Sequence, residues 1–339
     1  MSIKNRALQL ALAVIVAIAI ASVASHVAVR WLRIKSTWGE RQIYGTKTAK
    51  TQTILHGSSL AYDGLNWDQV SEALGGAIET WPTAGSSPPE WEVLHRRSPQ
   101  VTRSIVVVSP HDLNEFFICD FRAEIVSLSQ TFTDLRGCGA DWQQSRRVLS
   151  QYPRMLIRKL FPTVGRSDGV MVGIRGKLQA LIGRKSGTVE GEAPKFGGRG
   201  GGSETKEKVT DWTTARLQRR LALLRGACQG KYAFNGIKKL ALMRLLQRSA
   251  EQGEAILIVM PVPPLYHNEF LNPAVMQQFE SALAEVQRTC PRTQVIRLDQ
   301  TAALNNNELY SDTVHLNMYG EQIATGTLLG RLRAIASAH

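Results

Sequence analysis

The hydrophobic positions of this chain follow two rhythms, one unbroken apolar run and then short apolar bursts separated by polar turns. From Ala7 to Val29 no position carries a fixed charge, and Leu, Ile, Val and Ala fill most of them. A helix of about 20 such residues crosses the hydrocarbon of a bilayer, so the pattern predicts one transmembrane helix within residues 1–30. Lys4 and Arg6 precede the run and Arg30, Arg33 and Lys35 follow it, a near balance that leaves orientation open. Ser22-Val23-Ala24 has the small residues of a cleavage site, which makes a cleaved signal peptide the rival reading. The apolar run continues past that site and favours an anchor, followed by a basic juxtamembrane linker over 31–50.

Beyond residue 50 the pattern becomes strand, then helix, repeatedly. Thr51–Leu55 predicts a strand ending at the His56-Gly57 turn, and Trp67–Leu74 a helix closed by Gly75-Gly76. Ile78–Trp81 is a weaker strand, and Pro88–Arg97 a helix opened by proline. Ser104–Val108 (SIVVV), a run dominated by β-branched residues, and the apolar run Ala255–Met260 (AILIVM) read as strands buried on both faces. Helices over Gly236–Gln252, Pro273–Thr289 and Met318–Ala336 and a strand over Gln294–Leu298 complete the alternation. Such alternation predicts an α/β domain over 51–339 with a mostly parallel sheet, covered on both sides by helices in three layers. Glu115–Val164 has a mixed pattern and receives no assignment. Gly165–Lys208 is rich in glycine and scattered cations, which predicts a flexible insertion. It lacks the order of a phosphate-binding loop. Arg216–Arg225 reads as a basic amphipathic helix whose polar face meets solvent, anionic lipid or a partner.

Composition narrows the function classes. Of 339 residues, 43% are hydrophobic and 20% charged, enough apolar material for a sizeable core. The net charge of +13 suits an acidic polymer, anionic lipid or nucleic acid. No nucleic-acid motif accompanies the charge, so nucleic acid is not an expected partner. Cys119, Cys138, Cys228 and Cys290 are far apart with no paired spacing, which argues against structural zinc and leaves disulfides or free thiols open.

The candidate chemistry lies at the two ends of the α/β region. Ile54-Leu55-His56-Gly57-Ser58-Ser59-Leu60 places two serines beyond the carboxyl end of the first strand, where α/β sheets collect reactive groups. A serine hydroxyl needs a base and an orienting acid to become a nucleophile. Ser311-Asp312-Thr313-Val314-His315-Leu316-Asn317 supplies both, three residues apart. Taken separately, the first is also what a simple turn looks like, and the second what a surface pair or helix cap looks like. Their joint placement makes Ser59, His315 and Asp312 a candidate triad.

These residues resemble a family. Gly57-Ser58-Ser59-Leu60 is similar to the first block of the SGNH (GDSL-like) hydrolases, with Ser58 where many members have aspartate, and Asp312-Thr313-Val314-His315-Leu316 resembles their last block. The resemblance implies Ser59 as nucleophile, His315 as base and Asp312 as its orienter. It implies an oxyanion hole from the N–H groups of Ser59 and Gly85 and a side-chain donor in the GxND position. The chain reads Ser109-Pro110-His111-Asp112-Leu113-Asn114 there, which offers Asn114 out of the usual register. Pro261-Val262-Pro263-Pro264 resembles a proline-rich turn of some members, with Tyr266 and His267 as rim candidates. The combination with an N-terminal anchor is similar to bacterial proteins of alginate acetylation and to D-alanyl-teichoic acid esterases. It implies an extracytoplasmic, single-pass membrane acyltransferase or esterase of an exopolysaccharide or envelope glycan, working beside polysaccharide-biosynthesis proteins. No cofactor or metal is expected. A polysaccharide-binding or assembly protein that keeps the fold without catalysis is the alternative.

Overall fold

A computed structural model describes residues 3–32, 53–80, 85–97, 101–116, 125–164, 174, 177, 221–226 and 231–337. Five strands form one parallel sheet: β1 (Thr53–His56), β2 (Ile78–Thr80), β3 (Arg103–Val108), β4 (Glu254–Val259) and β5 (Thr293–Arg297), in the order β2-β1-β3-β4-β5. The α/β class and the parallel sheet expected from the sequence are both present.

The aliphatic runs pair with one another in the middle of the sheet. Ile105 lies opposite Ile256, Val106 opposite Leu257 and Val107 opposite Ile258. Because successive strand residues point to opposite faces, each run feeds two cores. Leu55, Ile105, Val107, Ile256, Ile258 and Ile296 pack with Trp67, Val70, Ala324 and Leu328. Val106, Val108, Leu257 and Val259 pack instead with Trp91, Leu242, Leu245, Leu246, Phe279 and Leu283. The helices that supply these partners are Trp67–Ala73 and Met318–Ser337 for the first core. Pro88–Arg96, Ile237–Gln252 and Pro273–Thr289 supply the second. At the mouth of the central pair, Arg103 and Glu254 face each other in register and form an ion pair of 2.5 Å.

The unassigned stretch 115–164 contains the helices Leu128–Gly137, Trp142–Leu149 and Tyr152–Leu160. Leu128–Gly137 shows why periodicity misses it, since Thr131 and Asp134 are buried along with Leu135. Asp134 is held by an ion pair with Arg244. Of the basic helix expected over 216–225, residues 221–226 are described and helical. Leu221 is buried among Tyr266, Phe270 and Val314, and Arg225 pairs with Glu269 at 2.6 Å. Most of the glycine-rich segment 165–208 and the linker positions 33–50 lie outside the described residues. Cys138 and Cys290 carry free thiols, and burial pushes the Cys290 thiol up to about 11; Cys119 and Cys228 lie outside the described residues.

By its contacts the chain divides into two units, Met1–Arg41 with Ser150–Pro194, and Gln42–Leu149 with Lys195–His339. In the first unit, Ile3–Trp31 is one helix, and its stretch Asn5–Trp31 is long and apolar enough to cross a membrane. A signal sequence meets the same criteria of length and composition. Ser22 Oγ donates to Leu160 O at 2.6 Å, and Ser25 Oγ lies 2.8 Å from Thr163 Oγ1. The second unit holds the sheet and the site.

Candidate active site

The strand order sets the location. From β1 the chain crosses to β2 on one side and then to β3 on the other, so the carboxyl ends of β1 and β3 flank a topological switch point, where such sheets open a crevice. Gly57 follows β1 at this point. A Cβ placed on it would come within 2.3 Å of Ala61 Cβ, so only glycine lets the helix Ser59–Asp63 fold back so tightly. Ser58 caps that helix by accepting the Leu60 N–H, and its hydroxyl also bonds to the Asp112 carboxylate after β3. These bonds set Ser59 at the head of the crevice.

The acid–imidazole pair arrives on a loop with its own scaffold. Tyr310 and Leu316 form an antiparallel bridge, and Ser311 N–H donates to His315 O at 2.8 Å. Asn317 ties the loop down. Its Nδ2 donates to Glu308 O at 2.6 Å, and its Oδ1 accepts from Tyr319 and Gly320 N–H, capping the closing helix. Gly320 is required by close approach, because a Cβ there would meet Leu309 O at 2.3 Å.

Ser59, His315 and Asp312 come together. Ser59 Oγ is 2.8 Å from His315 Nε2, and His315 Nδ1 is 2.9 and 3.0 Å from the two Asp312 oxygens. Burial works to raise the Asp312 carboxyl, but the hydrogen bond from the His315 ring, the electrostatic attraction of His315 and the N–H groups of His315 and Val314 outweigh it. They hold the group well below the usual carboxylate range. Asp312 is therefore ionised and can only accept, so Nδ1 carries the ring proton. That leaves the Nε2 lone pair facing the serine hydroxyl, the tautomer a general base requires. Asp63, one turn after Ser59, is a further carboxyl of the neighbourhood. Burial pushes it up to about 6, with His315 opposing the shift and Asp312 adding to it.

The serine opens on a cavity of about 340 Å³. Ser59, His315, Gly85, His111, Asp112 and Lys238 line its polar side, and Leu60, Leu223, Leu224 and Val314 its apolar side. Gly85 borders the cavity with φ of +70°, a left-handed conformation that favours glycine. Next to it, Ser86 Oγ donates to Gly57 O and accepts from Trp91 Nε1, which ties the Gly85 loop to the serine loop.

Asn114 is placed elsewhere. It is fully buried, its amide donates to Lys231 O, and its Oδ1 accepts the N–H groups of Phe116 and Ala233. Those bonds hold the 231–233 segment, and Asn114 does not line the cavity. The residues from the same turn that do are His111, whose Nδ1 is 2.9 Å from Tyr266 Oη, and Asp112, whose carboxylate accepts from Ser109 N–H and Oγ–H. Burial raises the Asp112 carboxyl, against the bonds from Ser58 and Ser109 and the nearby Lys238 charge.

Lys238 enters from far along the chain. Its buried ammonium donates to Asp112 O at 3.0 Å and Asn114 O at 2.8 Å, bracing the turn after β3. The sequence carried no signal for it, since a lysine at a helix start reads as solvated. Neither rim candidate, Tyr266 nor His267, lines the cavity; Tyr266 is buried behind it, with its hydroxyl 2.7 Å from Tyr232 Oη and 2.9 Å from His111 Nδ1.

Among the described residues no cluster of His, Cys, Asp or Glu has the form of a metal site. Comparison with known proteins adds no assignment, since no family model matches the chain and no curated protein sequence matches it.

Proposed function

We propose that this protein transfers acyl groups through an acyl-serine intermediate at Ser59, as an O-acyltransferase or esterase. The observation that supports this most is the unbroken relay from Asp312 through His315 to Ser59, with contacts of 2.9 and 2.8 Å, facing an open cavity. In the first half-reaction Ser59 Oγ attacks the acyl carbonyl while His315 Nε2 takes the hydroxyl proton. The imidazolium then returns that proton to the leaving oxygen, and the acyl group stays on serine. In the second, His315 deprotonates water or a sugar hydroxyl as it attacks the acyl-serine; the acyl carbon–Oγ bond then breaks and the imidazolium returns that proton to Ser59 Oγ, restoring both groups. The N–H groups of Ser59 and Gly85 are the donors we assign to the developing oxyanion. The aliphatic wall of Leu60, Leu223, Leu224 and Val314 suits a short acyl chain such as acetyl.

The SGNH-type resemblance at both ends of the domain, with the three-layer α/β/α arrangement it implies, belongs to this proposal. So does an anchored, extracytoplasmic setting in a bacterial membrane. The net charge of +13 is the support for an anionic exopolysaccharide or envelope glycan as acceptor. The second reading, a glycan-binding or assembly protein without catalysis, draws on the placement of Asn114 away from the cavity. Hydrolysis of p-nitrophenyl acetate by the full chain in detergent separates the two. Turnover by wild type that disappears in Ser59→Ala supports catalysis, and equal slow rates in both would leave the binding reading.

A further inference from the structure

The helix Tyr152–Leu160 and the residues after it carry chemistry that the site does not use. Leu156, Ile157, Leu160 and Val164 expose 58%, 48%, 38% and 48% of their surface, a concentration of large apolar side chains unusual outside a binding surface. At about 100° per helical residue, Leu156, Ile157 and Leu160 share one arc, and Arg154 and Arg158 fall on the opposite side. Between Ser150 and Asp168 the sequence contains no acidic residue, and Arg154, Arg158, Lys159 and Arg166 lie within that interval. An apolar arc backed by cations is the pattern of a helix lying in the plane of an anionic membrane surface.

Contacts inside this unit set its depth. Leu160 and Thr163 bond to Ser22 and Ser25 of the long apolar helix. Ser22 and Ser25 lie 15 and 18 residues after Ala7, where the uncharged run begins. At about 1.5 Å per residue that is roughly 22–27 Å, close to the far edge of a hydrocarbon core of about 30 Å. Trp31, a residue type enriched at the headgroup level, follows shortly after and has the Lys177 ammonium 5.3 Å from its ring.

We propose that residues 152–164 form an interfacial segment that rests on an anionic bilayer surface beside the spanning helix, with Leu156, Ile157, Leu160 and Val164 inserted among the lipids. This rests on the reading of Asn5–Trp31 as a membrane anchor. The segment would give the protein a second, headgroup-selective contact with its membrane.

The test uses the full chain in vesicles of phosphatidylcholine alone, or with about 30% phosphatidylglycerol to supply anionic surface. Amide hydrogen exchange is followed over 152–164, and resistance to alkaline carbonate extraction reports the anchor separately. The expected result is carbonate-resistant association in both lipids, with exchange over 152–164 slowed by phosphatidylglycerol and restored by high salt. Arg158→Ala should lose about fivefold of that protection, the equivalent of about 1 kcal/mol per basic residue near the surface. Leu156→Ser should weaken it in either lipid. Resistant association with lipid-independent exchange over 152–164 overturns the interfacial segment and leaves the anchor. Extraction by carbonate overturns both.

Discussion

Replacing Gly57 by alanine tests whether backbone approach, and not only the three reactive side chains, makes the site. The new methyl would stand 2.3 Å from Ala61 Cβ, while its next neighbours, Val107 O and Val107 Cβ, are at 3.4 and 3.5 Å. Carbon atoms in contact sit at about 3.5–4.0 Å, so the helix Ser59–Asp63 must retreat from β1 by more than about 1 Å. Overpacking of this kind costs about 1–3 kcal/mol, and a misplacement of about 1 Å at a reacting group costs on the order of a hundredfold in rate. The expected result is a folded protein with a lowered melting temperature and ester hydrolysis reduced by about two orders of magnitude. Adding Ala61→Gly removes the other half of the clash and should return most of the activity. Full activity and unchanged melting in Gly57→Ala would refute the reasoning, as would a double variant no better than the single one.

Other predictions follow from the polar contacts. Asp312→Asn keeps the shape of the side chain but loses the acceptor-only partner that fixes the Nδ1–H tautomer, so kcat should fall by about 10⁴-fold in steady-state ester hydrolysis. Glu115 accepts N–H groups at the start of the helix Ile237–Gln252, and burial pushes its carboxyl up from 4.5 to about 7 against the Lys238 charge. The folded chain therefore keeps a proton that the unfolded chain has released, so this group makes stability fall as pH rises from 4.5 to about 7, and adds no further slope above that. Glu115→Gln should flatten that slope by up to about 3 kcal/mol in chemical denaturation, and an unchanged slope would contradict the assignment.

Where the sequence was informative, a local pattern coincided with a tertiary demand. Ser104–Val108 and Ala255–Met260 could be read as interior strands because every residue of β3 and β4 beyond the first is buried, leaving no polar alternation to confuse them. Gly57-Ser58-Ser59 and Asp312 to His315 were readable because a tight turn after a strand and a three-residue acid–imidazole spacing are local requirements of one arrangement. The remainder of the site depends on contacts across long stretches of chain. Lys238 reaches the carbonyls of Asp112 and Asn114 from more than a hundred residues away, and nothing around it marks it. Asn114 looked like a side-chain donor by its place in the turn, yet two backbone N–H groups from 116 and 233 occupy its oxygen. Leu128–Gly137 escaped because it buries a threonine and an ion-paired aspartate where a helical pattern calls for aliphatic residues.

The central claim is that His315 makes Ser59 a stronger nucleophile than the other serines of the chain. Intact-mass and peptide mass spectrometry after treatment with a fluorophosphonate, which phosphonylates activated serines, measures this directly. The account predicts one adduct, on Ser59, formed rapidly in wild type and lost in Ser59→Ala and His315→Ala. No adduct in wild type, or the same labelling in Ser59→Ala, would contradict it.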